Sequence, residues 1–375
     1  MTKKKILFVG GSLNQTQMVH ATAVHLQADY DCYFTPFYGD PPYDWLARLG
    51  LLNFTIFGGR FRVMTETYLA EHELAVDFRG QASDPYDLYV ITTDLIVPKN
   101  IRGRNTILIQ EGMTDPEDWT YRLVRRFGLP RYLASTAANG LSQEYDYFCV
   151  ASPGYRDFFA AKGIDRRKLI VTGIPNFDNC AQFYANDFPY RNYVLVATSD
   201  ARETFRRDDR AGFIRKALAI AHGRPLIFKL HPNENQARAS REIRALAPHA
   251  LILTEGDIGP MIANCDVLIT QYSTVSYVGL ALGKEVHSYF DVEMLRRLTP
   301  VQNGGASGGN IAAVCRAVLE SQPVPSESEL DLGQARPYSA VSANGRSPAK
   351  KPQPNGRIPA RGAAHLARLR QEGGQ

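Results

Sequence analysis

The chain repeats one pattern along most of its length: a short apolar run, an abrupt stop at glycine or polar residues, then a stretch with helical periodicity. Alternation of this kind constrains the fold to parallel sheets covered by helices, because parallel neighbours need a crossover and are buried on both faces. Ile6–Val9 runs into Gly10-Gly11-Ser12 and a helical pattern through Met18, Ala21, Val24 and His25. Further strands are expected at Cys32–Thr35, Leu88–Thr92, Thr106–Gln110, Tyr147–Val150 and Leu169–Thr172, with helices over Asp118–Phe127 and Pro153–Lys162. The aromatic-rich stretch Asp40–Phe78 reads as an insertion with helices of its own.

The pattern lapses over Pro175–Arg191 and then resumes. Strands follow at Tyr193–Thr198, Pro225–Leu230, Ala250–Thr254, Val267–Thr270 and Glu285–Tyr289, separated by helices over Asp208–His222, Gln236–Leu246, Ile258–Ala263 and Thr274–Leu282. A length of 375 residues exceeds what one core organises, so two domains are expected, 1–185 and 186–321. From Gln322 onward Pro, Ser, Gly, Ala and Arg dominate, and 322–375 is expected to be a disordered tail.

A net charge of +5 suits anionic substrates or a membrane surface without indicating nucleic acid. Five scattered cysteines with no C-x-x-C pair read as reduced thiols of a cytoplasmic protein, not as a zinc site or disulfide frame. Met1–Lys5 looks like the start of a leader, but the apolar run Ile6–Val9 is too short for one. No stretch has the length to span a bilayer, so any membrane contact would be peripheral.

Ligands of open parallel sheets sit beyond the carboxyl ends of the strands, which makes the residues at each stop the candidates for chemistry. Gly10-Gly11-Ser12 is a glycine turn without the G-x-G-x-x-G or Walker pattern; Gly10 reads as packing, while Gly11, Ser12 and Gln15, with Gly112, can line an acceptor rim. Glu111-Gly112 ends a strand and presents a carboxylate able to act as general base. His231-Pro232 stops another strand and leaves an imidazole to meet a departing phosphate, with Glu234 either on a ribose or capping a helix. Tyr272-Ser273-Thr274 precedes a helix and offers hydroxyls and amides to a phosphate, or plain capping.

Together these segments resemble a GT-B glycosyltransferase, two Rossmann-like domains facing across a cleft. Val171–Asp178 resembles the segment before the interdomain crossing, and Cys265–Thr274 with Leu280–Lys284 is similar to the nucleotide-sugar site of capsule and CDP-glycerol glycerophosphotransferase families. Bacterial CMP-sugar sialyl- and Kdo-transferases carry an acidic pair before glycine, His-Pro and a Ser/Thr pair. Glu111-Gly112, His231-Pro232 and Ser273-Thr274 stand in that order here, although Gln110 replaces the first acid. The resemblance implies an N-terminal acceptor domain, a C-terminal nucleotide-sugar domain, and metal-independent transfer to a cell-envelope glycan without a separate cofactor. The donor would be a CMP- or CDP-linked sugar or polyol phosphate, and the acceptor a glycan or lipid-linked glycan. Glu111 and His231 would be catalytic; His231, Pro232, Glu234, Tyr272, Ser273 and Thr274 would hold the nucleotide. A sugar-nucleotide epimerase of the UDP-N-acetylglucosamine 2-epimerase type and a nucleotide-sugar-binding protein without catalysis stay open, as does contact with the inner membrane face.

Overall fold

The structure is a computed structural model that describes residues 2–203 and 207–333. Its first sheet contains β1 (Lys5–Gly10), β2 (Asp31–Pro36), β3 (Leu88–Ile91), β4 (Thr106–Ile109), β5 (Tyr147–Val150) and β6 (Leu169–Val171). They are all parallel, in the order β2-β1-β3-β4-β5-β6. The second sheet holds β7 (Val194–Ala197), β8 (Leu226–Lys229), β9 (Leu251–Leu253), β10 (Val267–Thr270) and β11 (Glu285–His287), again parallel, ordered β11-β10-β7-β8-β9. The central strands β3, β4, β7 and β10 are buried at every residue, as continuous apolar runs in doubly covered sheets must be.

Eleven α-helices cover these sheets among the described residues: α1 (Leu13–Ala23), α2 (Tyr43–Arg48), α3 (Gly59–Glu71), α4 (Trp119–Phe127), α5 (Pro153–Ala161), α6 (Arg210–Ala221), α7 (Gln236–Leu246), α8 (Ile258–Asn264), α9 (Val275–Ala281), α10 (Val292–Leu298) and α11 (Ser307–Glu320). Each expected strand is present to within two residues of its bounds, and α2 and α3 are the helices of the aromatic-rich insertion.

Two helices fall where no element was expected. α10 lies against α5, and the approach is so close that a Cβ on Gly154 would strike the Arg297 carbonyl. α11 follows the second sheet in sequence, inside the expected 186–321 segment, yet it packs against α1 of the first half. Gly308 sits directly on the backbone of Ala21, and Tyr30 Oη donates to Glu320 at 2.7 Å. The buried set Ile311, Val314, Cys315 and Leu319 explains the return, since these side chains extend the core of the first sheet.

Residues 322–333 of the expected tail are ordered. Leu330 is buried, Asp331 exchanges backbone hydrogen bonds of 2.6 and 3.0 Å with the Asn310 amide, and Glu327 pairs with Arg156. One apolar anchor and a pair of amide contacts suffice to fix 322–333 where composition alone suggested none. Positions 334–375 lie outside the described residues.

Candidate active site

In each sheet the strand order reverses about the first strand: β1 is flanked by β2 and β3, and β7 by β8 and β10. A crevice opens beyond the carboxyl ends at such a point. On the first sheet it is edged by Gly10-Gly11-Ser12 and by Glu111-Gly112 after β4; on the second by Thr198-Ser199-Asp200, His231-Pro232 and Gln271–Thr274.

The first edge is organised around Glu111. Ser12 caps α1, its Oγ accepting from Gln15 N at 3.2 Å while Gln15 Oε1 accepts from Ser12 N at 3.0 Å. The same Gln15 side chain donates through Nε2 to Glu111 Oε2 at 2.7 Å. Burial raises the Glu111 pKa above the ordinary glutamate value, and the hydrogen bonds from Gln15 and Ser12 only partly oppose it. No cation pairs with Glu111 among the described residues.

Gln15 is therefore buried and turned to Glu111, not to an acceptor. Gly11 is likewise buried beneath Ile56 and Gln15. Of the expected acceptor rim, Ser12 and Gly112 stay partly exposed. Gln110, standing where the resemblance has an acid, is buried and structural: its Nε2 donates to Gly112 O at 2.7 Å and its Oε1 accepts from Ala151 N at 2.9 Å.

The second edge is held by charges below it. Arg210 pairs with Glu234 at 2.5 Å and with Asp208 at 3.0 Å, all three side chains being almost wholly covered. Thr198 Oγ1 donates to Glu234 Oε2 at 2.6 Å and accepts from His231 N at 3.1 Å. Asp208 accepts from Gln271 Nε2 at 2.7 Å, and Ser199 Oγ donates to Gln271 Oε1 at 2.5 Å. Glu234 is thus no ribose ligand; its carboxylate is neutralised in the interior and fixes the backbone that carries His231. Lys229 is also structural, its Nζ donating to the Leu230 and Thr254 carbonyls at 3.1 Å each.

His231 itself stands at the rim with its side chain 37% exposed. Its Nδ1 accepts from Asn233 N at 3.2 Å and lies 3.6 Å from Asp200 Oδ2. A ring that accepts through Nδ1 carries its proton on Nε2 when neutral, so the free edge is a donor suited to a phosphate oxygen. Pro232 is exposed beside it. Ser273 Oγ accepts from Val275 N at a long 3.4 Å, whereas the exposed Thr274 makes no capping bond with its side chain. Tyr272 is exposed, its ring edge-on to Tyr289 and Phe290 at 5.4 and 5.1 Å.

The two edges meet. A Cβ on Gly112 would lie 3.9 Å from Thr274 Cγ2 and 3.6 Å from Phe177. Arg60 Nη1 donates to Asn233 Oδ1 at 2.7 Å, and the buried hydroxyls of Tyr155 and Tyr277 stand 2.6 Å apart. Next to this junction a cavity of 1160 Å³ opens between Met113–Glu117, α4 and α5 on one side and Tyr272, Tyr289 and α10 on the other.

Sequence reading missed Thr198, Ser199, Asp200 and Gln271. The signal was available: Thr-Ser-Asp after Val194–Ala197 is the same apolar stop that singled out His231. What it could not show is that β7 occupies the centre of its sheet, which depends on strand order. Among the described residues no cluster of three or more His, Cys, Asp or Glu has the arrangement to hold a metal ion, and no helix is long and apolar enough to cross a membrane.

No protein-family profile matches the chain, and no curated protein matches it. Solved structures do. A candidate UDP-N-acetylglucosamine 2-epimerase from Listeria monocytogenes aligns with a TM-score of 0.53 at 11% identity, over 87% of this chain and 99% of that one. S. aureus MnaA in complex with UDP aligns at 0.53 and 11% identity, over 86% and 99%. Another UDP-N-acetylglucosamine 2-epimerase aligns at 0.52 and 12%, over 86% and 99%. At these identities the likeness shows the fold, which is GT-B.

Proposed function

We propose that the protein transfers a sugar or polyol phosphate from a CMP- or CDP-linked donor to a hydroxyl of a cell-envelope glycan. The observation that carries this reading is Glu111: one uncompensated carboxylate, raised in pKa by burial and held by Gln15, within a residue of the contact between the two halves. Transfer needs a single base. Epimerisation at carbon needs a proton removed from one face and returned to the other, which calls for two suitably placed groups.

In the proposed reaction the acceptor oxygen attacks the transferred centre, its proton passes to Glu111, and the bond to the nucleotide phosphate oxygen breaks. His231 Nε2–H and the Thr274 and Ser273 hydroxyls meet the charge left on that phosphate. The chemistry asks nothing of a metal ion. The UDP held by the S. aureus neighbour supports nucleotide binding by a protein of this fold.

The likeness to epimerases gives the second reading, in which Asp115, four residues beyond Glu111, is the nearest further acid in sequence. Thermal shift with CMP, CDP, UDP and GDP would identify the nucleotide, followed by incubation of the activated donor with and without an envelope glycan. Product that requires acceptor is expected. An isomerised donor formed without acceptor would replace transfer by epimerisation, and binding without turnover in either arm would leave a binding protein.

A further inference from the structure

One face of the first half is apolar where it meets solvent. α4 buries Tyr121 and Val124 against the turn at 131–138, as an amphipathic helix should. Its opposite stripe is apolar as well: Trp119, Leu123 and Phe127 recur every four residues, Trp119 being 71% exposed and Phe127 63%. The stripe continues into the exposed Tyr132 of the next turn, whose ring meets Tyr43 edge-on at 5.8 Å. Tyr43 opens α2, and there Trp45 and Phe54 are uncovered too, Phe54 at 78%. Two large aromatic segments, distant in sequence and joined in space, form more than the scattered apolar exposure ordinary for a surface.

Basic charge predominates beside this face. Arg122 and Arg126 stand exposed between the α4 aromatics. The nearby carboxylates are committed: Asp118 caps α4, Glu117 lies 3.3 Å from Lys162, and Asp44 pairs with Arg48 and Arg79. A second copy seated here through the same face would oppose arginine to arginine. Residues 357–370 carry Arg357, Arg361, Arg368 and Arg370 with no acid, so their sequence offers no charge complement to this face. Aromatic side chains interleaved with arginines instead match a layer that is apolar beneath and anionic at its surface.

We propose that this face docks on an anionic bilayer, with the aromatic side chains of α4 and the α2 segment among the headgroups and Arg122 and Arg126 on lipid phosphates. Arg122, Arg125 and Arg126 also line the 1160 Å³ cavity, so docking sets the cavity beside the lipid surface. That an acceptor held in the bilayer is what enters the cavity rests on the transfer reading; the docking does not.

The test is co-sedimentation of the full chain with phosphatidylcholine vesicles, with and without phosphatidylglycerol. Partition is expected only with the anionic lipid and should fall as salt rises. W119S/F127S and R122E/R126E should each lower the partition constant about tenfold, with circular dichroism and nucleotide thermal shift unchanged. R244E, an exposed reversal on α7, should leave partition as it was. Equal partition of all variants would place membrane contact elsewhere and overturn the proposal. So would absent partition together with a dimer that W119S/F127S dissociates, which would give the face to a second copy. Docking that survives alongside failure of every donor to turn over would retain this face and remove the transfer reading.

Discussion

The two edges that meet at the cleft use charge in opposite ways. Beneath the second edge, Asp208 and Glu234 pair with Arg210, Asp208 also with Arg202 at 3.2 Å, and the network locks the loops that carry His231 and Gln271. At the first edge Glu111 has only the neutral partners Gln15 and Ser12, and burial raises its pKa unopposed by any cation among the described residues. A paired charge is spent on rigidity, whereas an unpaired one keeps its proton affinity available. On the proposed transfer reading, binding belongs to the second half and proton transfer to the first.

Glu111→Gln tests the sharper side of this comparison. Loss of a general base lowers transfer about 10²–10⁴-fold, while the amide preserves the shape that Gln15 contacts. The wild-type rate should rise with pH through a value above the ordinary glutamate range, because only the carboxylate accepts a proton; the variant should lose that limb. Stability should move the other way. A carboxyl whose pKa is higher folded than unfolded favours the fold below its unfolded pKa and loses that contribution as pH rises through the folded value. At neutral pH the variant should therefore melt no lower than wild type. A lower melting temperature with unchanged turnover would make Glu111 structural and end the contrast.

Arg210→Ala tests the locked side. It leaves Glu234 buried without its guanidinium and Asp208 with Arg202 alone, and breaking such a cluster costs about 3–5 kcal/mol. Denaturant unfolding should show that loss; a change below about 1 kcal/mol would mean that water or another residue replaces the arginine. His231→Ala should lower transfer about 10²–10³-fold through a lost donor to the leaving phosphate, with the unfolding midpoint retained because the side chain is at the rim. Equal losses of turnover and of stability would join His231 to the locked network beneath it.

Gln15→Leu has the smallest effect and separates positioning from catalysis. Removing the donor should push the Glu111 pKa still higher, move the acid limb of the rate profile upward and reduce neutral turnover by about threefold to tenfold. Gln15→Glu restores the capping box but adds a like charge, so it should raise that limb further. An unmoved limb in both variants would show that Gln15 does not set the proton affinity of Glu111.

Much of the fold was legible because parallel strands write themselves as apolar runs with sharp ends; Val267–Thr270 is expected and found with the same bounds. The site was legible in part for the same reason, since Glu111, His231 and Thr274 follow such ends. Partners were not. Nothing near Glu234 in sequence signals Arg210, and Gln15 and Glu111 meet only because β1 and β4 share a sheet. α11 was missed because its small residues, Gly308, Gly309, Ala312 and Ala313, weaken helical periodicity while permitting the close approach to α1 that holds it.

The return of α11 means that the chain passes between the halves twice, and the two passages are stitched together. Asn303 N and Gly304 N donate to Asp178 O at 2.9 and 3.1 Å, Ser307 N donates to Asp178 Oδ2 at 3.1 Å, and Cys180 N donates to Gln302 Oε1 at 2.9 Å. Mechanically this is a two-ply strap, which resists twisting and sliding and yields only by folding both plies about a shared line. A cleft mounted on such a strap is expected to open and shut like a book, with Gly112 returning to Thr274 in the same register. Amide exchange at Asn303, Gly304 and Ser307 should accordingly stay slow with or without nucleotide, and rapid exchange there on binding would show the plies parting instead.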